Sequence, residues 1–232
     1  MSGDGSAFFD AIARRYDRVY ALDRDASRRR MSRLLTELPE RARVLDLGVG
    51  TGRELGALLD AGHAPVGLDA SSAMLVICAR RARPVPLVKA SFWETWPFDD
   101  ESFDAVIALH GTIAHPPDDD AMVALVREAA RVLGEHGVFV AEVPSTEWLE
   151  TLEERQEGDG EERSVRRVGA DRCLYEDRAL GVSIEARVFG EARWKGLFSA
   201  WPFVSVTPIE EGELFVVARR STPRSQPSPS AP

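Results

Sequence analysis

The chain has 232 residues, 44% of them hydrophobic, and a formal net charge of −9. That is enough apolar content for one sizeable core, and the acidic balance argues against a broad nucleic-acid footprint, which needs clustered Lys and Arg. The longest apolar runs, "AMLVICA" and "DAVIAL", fall far short of the roughly 20 residues that span a bilayer, the opening lacks a signal-peptide core, and Cys78 and Cys173 have neither zinc nor C-x-x-C spacing. The expectation is a cytoplasmic protein with reduced thiols, no metal and no membrane partner.

Residues Ala7 to Leu38 predict two amphipathic helices, with Phe8, Ile12 and Tyr16 on one face and Met31, Leu34, Leu35 and Leu38 on another. Arg28 to Arg30 fall within the second and are expected to form a solvated face. From Arg43 to Val143, short apolar runs alternate with helical periodicity, the sequence form of βαβ units on a parallel sheet. The predicted strands are Val44–Leu47, Pro65–Leu68, Val85–Val88, Ala105–Leu109 and Val138–Val143. The spacing of Leu55, Leu58 and Leu59 gives a first crossover helix over Arg53–Ala61, stopped by Gly62, and a second covers about Ser72–Ala82 with Ser71 or Ser72 as its cap. Pro116, Pro117 and Asp118–Asp120 open the clearest helix, striped by Met122, Leu125, Val126, Ala129 and Leu133 and ended by Gly134.

Beyond the fifth strand, "TLEERQEGDGEER" is polar and predicts a loop or frayed helix. A hairpin of "DRCLYED" and "VSIEARVF" around "RALG" comes next, then a helix near Glu191–Ala200 and strands near Phe203–Thr207 and at "ELFVVARR". The ending "STPRSQPSPSAP", 221–232, has no apolar content to offset the cost of ordering and predicts a disordered tail. One domain over 1–220 is expected: a helical segment (1–42), a ligand-binding core (43–145), a variable insertion carrying the hairpin (146–190), and a closing helix with strands (191–220).

The stretch "VLDLGVGTG" places Gly48, Gly50 and Gly52 between the first strand and the first helix, where the backbone must approach a ligand without Cβ obstruction. The spacing is neither the G-x-G-x-x-G of dinucleotide sites nor the phosphate loop. Asp46, ahead of the glycines, would repel a pyrophosphate but suits an ammonium group, and Asp69 ends the second strand where a carboxylate takes both hydroxyls of a ribose. A ribose plus an amine without phosphate describes S-adenosyl-L-methionine.

With "GLDAS", "WPFDDESFDAVIA" and "REAARVLGEHGVFVAEV", the glycine stretch resembles the class I S-adenosylmethionine-dependent methyltransferases, and more narrowly the small methyltransferase type 11 group, over roughly residues 7–145. The resemblance implies a doubly wound α/β fold: a mostly parallel, seven-stranded Rossmann-like sheet with N-terminal helices and a terminal antiparallel hairpin. It also implies that Asp46 faces the methionine amino group, that the glycine turn runs under methionine and ribose, and that Asp69, beside Ala70, takes the ribose diol. Leu109, ending the fourth strand, belongs to the same cofactor set. Where the group often carries a Gly-Asp pair before "LPF", this chain has Ser91 and Phe92 within "ASFWETWPF". The adenine is therefore expected against Phe92 or Trp93, with backbone groups at its edge, and Trp96 and Phe98 are expected in the core.

Methyl transfer from a sulfonium needs positioning and water exclusion, and a base only where the acceptor must lose a proton. The candidates are His110 and His115 in "ALHGTIAHPPD", at the strand ends where doubly wound sheets bind ligands, with His110 preferred for its place nearer the strand. His63 and His136 fall in connections at the opposite end and are expected on the surface. The function expected is methyl transfer to an O or N nucleophile of a small molecule. An RNA methyltransferase, a noncatalytic S-adenosylmethionine-binding partner protein and a nicotinamide-dependent dehydrogenase are the alternatives.

Overall fold

A computed structural model describes residues 5–21, 23–81, 84–152, 155–156, 163–209 and 212–221. Alternating strands and helices build a seven-stranded sheet from β1 (Arg43–Leu47), β2 (Ala64–Asp69), β3 (Leu87–Lys89), β4 (Phe103–Ala108), β5 (Leu133–Pro144), β10 (Phe203–Ile209) and β11 (Glu213–Arg219). Its strand order is β10-β11-β5-β4-β1-β2-β3. Strands β1 to β5 pair in parallel, and β11 runs antiparallel to both its neighbours, so the closing hairpin sits at one edge as expected. Both faces of the central strands are buried, which is why they are near-continuous apolar runs.

The faces divide by the two-residue period of a strand. Val44, Ala105, Ile107, Val138 and Val140 point to one side, under Leu34 and Leu38 from α3 (Arg24–Glu37) and its end, and Leu58 from α4 (Leu55–Asp60). Leu45, Leu47, Val106, Ala108, Phe139 and Ala141 point to the other, against α6 (Asp119–Val132) and α8 (Glu191–Leu197). Trp96 is buried on this second side and Phe98 packs against it. Asp118 caps α6 by accepting the Ala121 N–H at 2.9 Å, and the Ser71 Oγ accepts the Met74 N–H at 3.1 Å to start α5 (Ser72–Arg81). The end of α6 differs from expectation: the chain turns extended at Leu133 and enters β5 there, before Gly134.

The N-terminal segment is broken into α1 (Ser6–Ile12), a 3-10 turn (Ala13–Arg15) and α2 (Tyr16–Val19), ahead of α3. Two carboxylates fasten it to the sheet. Asp10 accepts from the Ser71 hydroxyl (2.6 Å) and the Ala73 N–H (2.9 Å), while Asp17 accepts from Thr51 (2.7 Å), Arg53 (3.0 Å) and Arg81. In α3, Arg28 and Arg29 are exposed as expected, whereas Arg30 turns inward and pairs with Glu213 at 2.7 Å and Glu142 at 3.4 Å.

Between β5 and α8 lies a second sheet that the sequence only half predicts. After α7 (Thr146–Thr151) come β6 (Arg155–Gln156), β7 (Arg163–Arg167), β8 (Arg172–Asp177) and β9 (Val182–Arg187), antiparallel in that order. The expected hairpin is β8–β9; β7 was hidden because it is a mostly polar run, whose Arg163 is buried through a pairing with Asp177 at 2.8 Å. The middle of "TLEERQEGDGEER" (157–162) and all but the first residue of the expected tail (222–232) lie outside the described residues. His63 is not a surface residue: it is buried, and its Nδ1 accepts the Ala42 N–H at 3.1 Å where β1 is about to begin. His136 is exposed. No helix among the described residues is long and apolar enough to cross a membrane.

Candidate functional site

At the carboxyl ends of β1, β2 and β4 the chain turns through a row of left-handed residues: Gly48, Gly50 and Gly52 after β1, His110 and Gly111 after β4. Under this row and the N-terminal helices lies a cavity of about 500 Å³, lined by Gly48, Gly50, Asp69, Ala70, Phe92 and Trp93 on one side and by His110 and His115 on another. The glycines do different work. A Cβ on Gly50 would meet nothing nearer than the Gly48 carbonyl at 3.7 Å and would project into open space. On Gly48 it would strike Thr112 at 2.5 Å, and on Gly52 the Cys78 Sγ at 2.7 Å. Gly52 stays off the cavity wall and serves the packing of the turn on α5.

Asp46 sits at the floor with its Oδ2 buried and without a hydrogen-bond partner, in a small recess shared with Gly48, Gly50, Tyr16, Glu54, Leu109 and His110. Burial first, then the nearby carboxylates of Glu54 and Asp69, push its pKa well above the usual carboxylate range. Such a group is poised to accept a cation, which restores its ionised form. Asp69 accepts the Gly50 N–H through Oδ2 and the Ser71 N–H through Oδ1, each at 2.8 Å, so it fastens the glycine turn to the end of β2. Tyr16 closes the recess from above, its phenol pushed up to about 12, mainly by burial, so it keeps its proton. Ser91 accepts the Trp93 N–H at 3.3 Å and does not line the cavity; Phe92 does, and Trp93 is largely core.

The two histidines differ in their surroundings. His110 Nε2 meets Glu54 Oε1 at 2.7 Å, its Nδ1 is 3.7 Å from Glu142 Oε2, and its backbone N–H donates to the same oxygen at 3.3 Å. Burial opposes the imidazolium, but the Glu54 hydrogen bond and the charges of Glu54 and Glu142 outweigh it and raise the pKa. Its Nε2 is thus hydrogen-bonded to one carboxylate while its Nδ1 faces another. His115 follows a 3-10 turn (Thr112–Ala114), and its Nδ1 is 2.8 Å from the Glu185 carbonyl of β9. A carbonyl only accepts, so Nδ1 carries the proton and Nε2 the lone pair. Burial holds the ring below the ordinary histidine pKa, against a smaller opposing effect of that hydrogen bond. Its Nε2 has no partner among the described residues.

Glu54, Glu142 and Tyr175 were not singled out in the sequence, and Tyr16 and Arg30 were read there only as parts of helix faces. Glu142 carried a signal, as an acid inside the otherwise apolar "VFVAEVP" near the ligand end of its strand; Glu54 and Tyr16 carried none, because their meeting with positions 46 and 110 is made by the fold.

A family model described as a methyltransferase domain matches residues 44–137. The chain is 30% identical over 209 residues to the demethylmenaquinone methyltransferase of Mycobacterium sp. strain KMS, covering 83% of this chain and 88% of that one. It is 32% identical over 148 residues to an uncharacterized protein of Methanocaldococcus jannaschii, covering 61% of this chain and 53% of that longer relative. Among solved structures, the CcbJ methyltransferase of Streptomyces caelestis shares the fold with a TM-score of 0.74 at 18% identity, over 94% of this chain and 99% of that one.

Proposed function

Because this chain belongs to the class I S-adenosylmethionine-dependent methyltransferases, we propose that it transfers the methyl group to an oxygen or nitrogen nucleophile of a small molecule, with His115 as the base. The observation that carries the reading is the neutral His115 ring, held in one tautomer by Glu185 with its lone pair uncommitted at the cavity. S-adenosylmethionine, when bound, supplies a methyl carbon on a sulfonium that a nucleophile displaces in line.

The chain's own residues fit that group. The buried, unpartnered Asp46 Oδ2 answers its ammonium, Gly50 leaves room where a side chain would project, and Asp69, which holds the turn, brings a carboxylate to the cavity wall for a diol. Asp46, Gly48, Gly50, Asp69, Ala70, Phe92 and Leu109 are thus assigned to the cofactor, and Ser91 and Gly52 to shaping the walls around it. The apolar side chains around His115 exclude water, and its Nε2 takes the proton that the nucleophile gives up. A small-molecule acceptor is favoured by the size of the cavity, about 500 Å³, and by the demethylmenaquinone methyltransferase relative, whose name specifies such a substrate.

The test is single-turnover methyl transfer with a cell-extract fraction as acceptor source. His115→Ala should slow transfer by about 100-fold or more while leaving S-adenosylhomocysteine affinity within about twofold. Rates within threefold of the unsubstituted enzyme for His115→Ala, with His110→Ala impaired instead, would return the base to His110.

A further inference from the structure

Away from the glycine turn, the cavity that His115 lines is also walled by Phe9, Tyr16 and Tyr20 of the N-terminal segment, Trp148 of α7 and Tyr175 of β8. Phe9 and Tyr175 meet the imidazole edge to face, with ring centres 5.8 and 6.1 Å away. The charged groups on these walls are answered within the protein: Arg30 by Glu213 at 2.7 Å and Glu142 at 3.4 Å, Arg53 by Asp17 at 3.0 Å, His110 by Glu54 at 2.7 Å. A charged acceptor would therefore leave water without a counter-charge waiting for it, a costly exchange. Two of the five rings already face a guanidinium, Tyr16 that of Arg53 at 5.0 Å and Tyr20 that of Arg163 at 5.7 Å, which leaves Phe9, Trp148 and Tyr175 for the acceptor. What such walls hold well is an uncharged π-surface, in offset or edge-on contact.

We propose that the acceptor is an uncharged, flat aromatic compound, held among Phe9, Trp148 and Tyr175, whose ring hydroxyl faces His115 Nε2 and is methylated. The inference rests on the reading of His115 as the base. The hydroxyl oxygen gains the methyl carbon as its proton passes to Nε2, and the electron pair of the broken C–S bond stays on sulfur, leaving S-adenosylhomocysteine and an aryl methyl ether. Water carries the proton away from His115 after the product leaves.

The probe is 2-naphthol, titrated calorimetrically into enzyme saturated with S-adenosylhomocysteine, beside cyclohexanol (no π-surface), 2-naphthoate (anionic) and benzylammonium (cationic). The naphthol should bind at least about 10-fold more tightly than each of the others, and Trp148→Ala and Tyr175→Leu should each weaken it by about 10-fold without moving S-adenosylhomocysteine affinity. Methyl-labelled cofactor should then yield labelled 2-methoxynaphthalene, lost in His115→Ala. Equal or tighter binding of any of the other three probes, no measurable naphthol binding, or naphthol affinity unchanged in both variants would overturn the proposal while leaving the methyltransferase reading in place. Failure to bind S-adenosylhomocysteine at all would overturn the cofactor assignment and the proposal together.

Discussion

Asp69 is a structural acceptor before any cofactor arrives, and its removal should be felt in the cofactor-free protein. Its two oxygens take the N–H groups of Gly50 and Ser71 at 2.8 Å each, in a residue only 9% exposed. A hydrogen bond to a charged acceptor contributes about 1.5–3 kcal/mol, so Asp69→Ala forfeits about 3–6 kcal/mol if both donors stay dry, and roughly half of that if water refills the gap. Against a native stability of about 5–15 kcal/mol, the variant should fold but with a clear loss. Asp69→Asn keeps one carbonyl acceptor and should fall between the two. Urea unfolding without cofactor gives the midpoint, and an unchanged slope certifies that the midpoint shift is a stability change. Calorimetry on the folded variants should then show S-adenosylhomocysteine affinity reduced by at least about 10-fold, because on the proposed assignment the ribose loses a charged acceptor as well. An Asp69→Ala midpoint equal to that of the unsubstituted protein would refute the account of the glycine turn. An unchanged dissociation constant alone would move the ribose to another acid.

His110 has a raised pKa in the folded chain, so its ionised form contributes stability that is fully present below the unfolded value of about 6.5 and lost as pH rises through the folded value. The stability gap between the unsubstituted protein and His110→Gln should therefore narrow steadily in alkaline urea titrations; a gap that widens with pH would contradict the pairing with Glu54. For His115 the sign reverses. Its folded pKa is depressed, so its contribution is present above about pH 6.5 and lost as pH falls through the folded value, and the single-turnover rate should show an acid limb with its midpoint below about 6.5. A limb above 7, or none, would remove His115 as the titrating base. Gly52→Ala combines a left-handed backbone, about 1–2 kcal/mol, with a clash on the Cys78 Sγ, about 1–3 kcal/mol, for a total of about 2–5 kcal/mol. Cys78→Ala in that background should recover part of the loss; failure to do so in urea melts would place the strain elsewhere.

What could be read from the sequence was whatever is encoded locally. The glycine turn is legible because positions 48, 50 and 52 need a left-handed backbone, and the α6 start because Asp118 caps its own helix. The parallel sheet of β1 to β5 is legible from apolar runs alternating with helical periods. Gly50 and Gly52 could not be told apart, since both are left-handed and only the tertiary neighbour, open space or Cys78, separates their roles. The surroundings that distinguish His110 from His115 were hidden for the same reason: the carboxylates beside His110 come from positions 54 and 142, and the carbonyl beside His115 Nδ1 comes from position 185. His63 was misplaced because its partner, the Ala42 N–H, belongs to a different loop.

The second sheet leaves the main one after Pro144 and returns at Gly190, and these two points touch: a Cβ on Gly190 would lie 3.8 Å from the Thr146 side chain. A segment pinched at so narrow a neck can be lengthened, shortened or exchanged without pulling β5 and α8 apart, since the spacing of its two ends is set by the scaffold and not by what hangs between them. Tyr175 and the Glu185 carbonyl both ride on that segment, while Asp46, Gly50 and Asp69 lie outside it. On the assignments proposed above, a new substrate is then reachable by one recombination event within a single contiguous stretch of gene, with the residues given to the methyl donor inherited untouched.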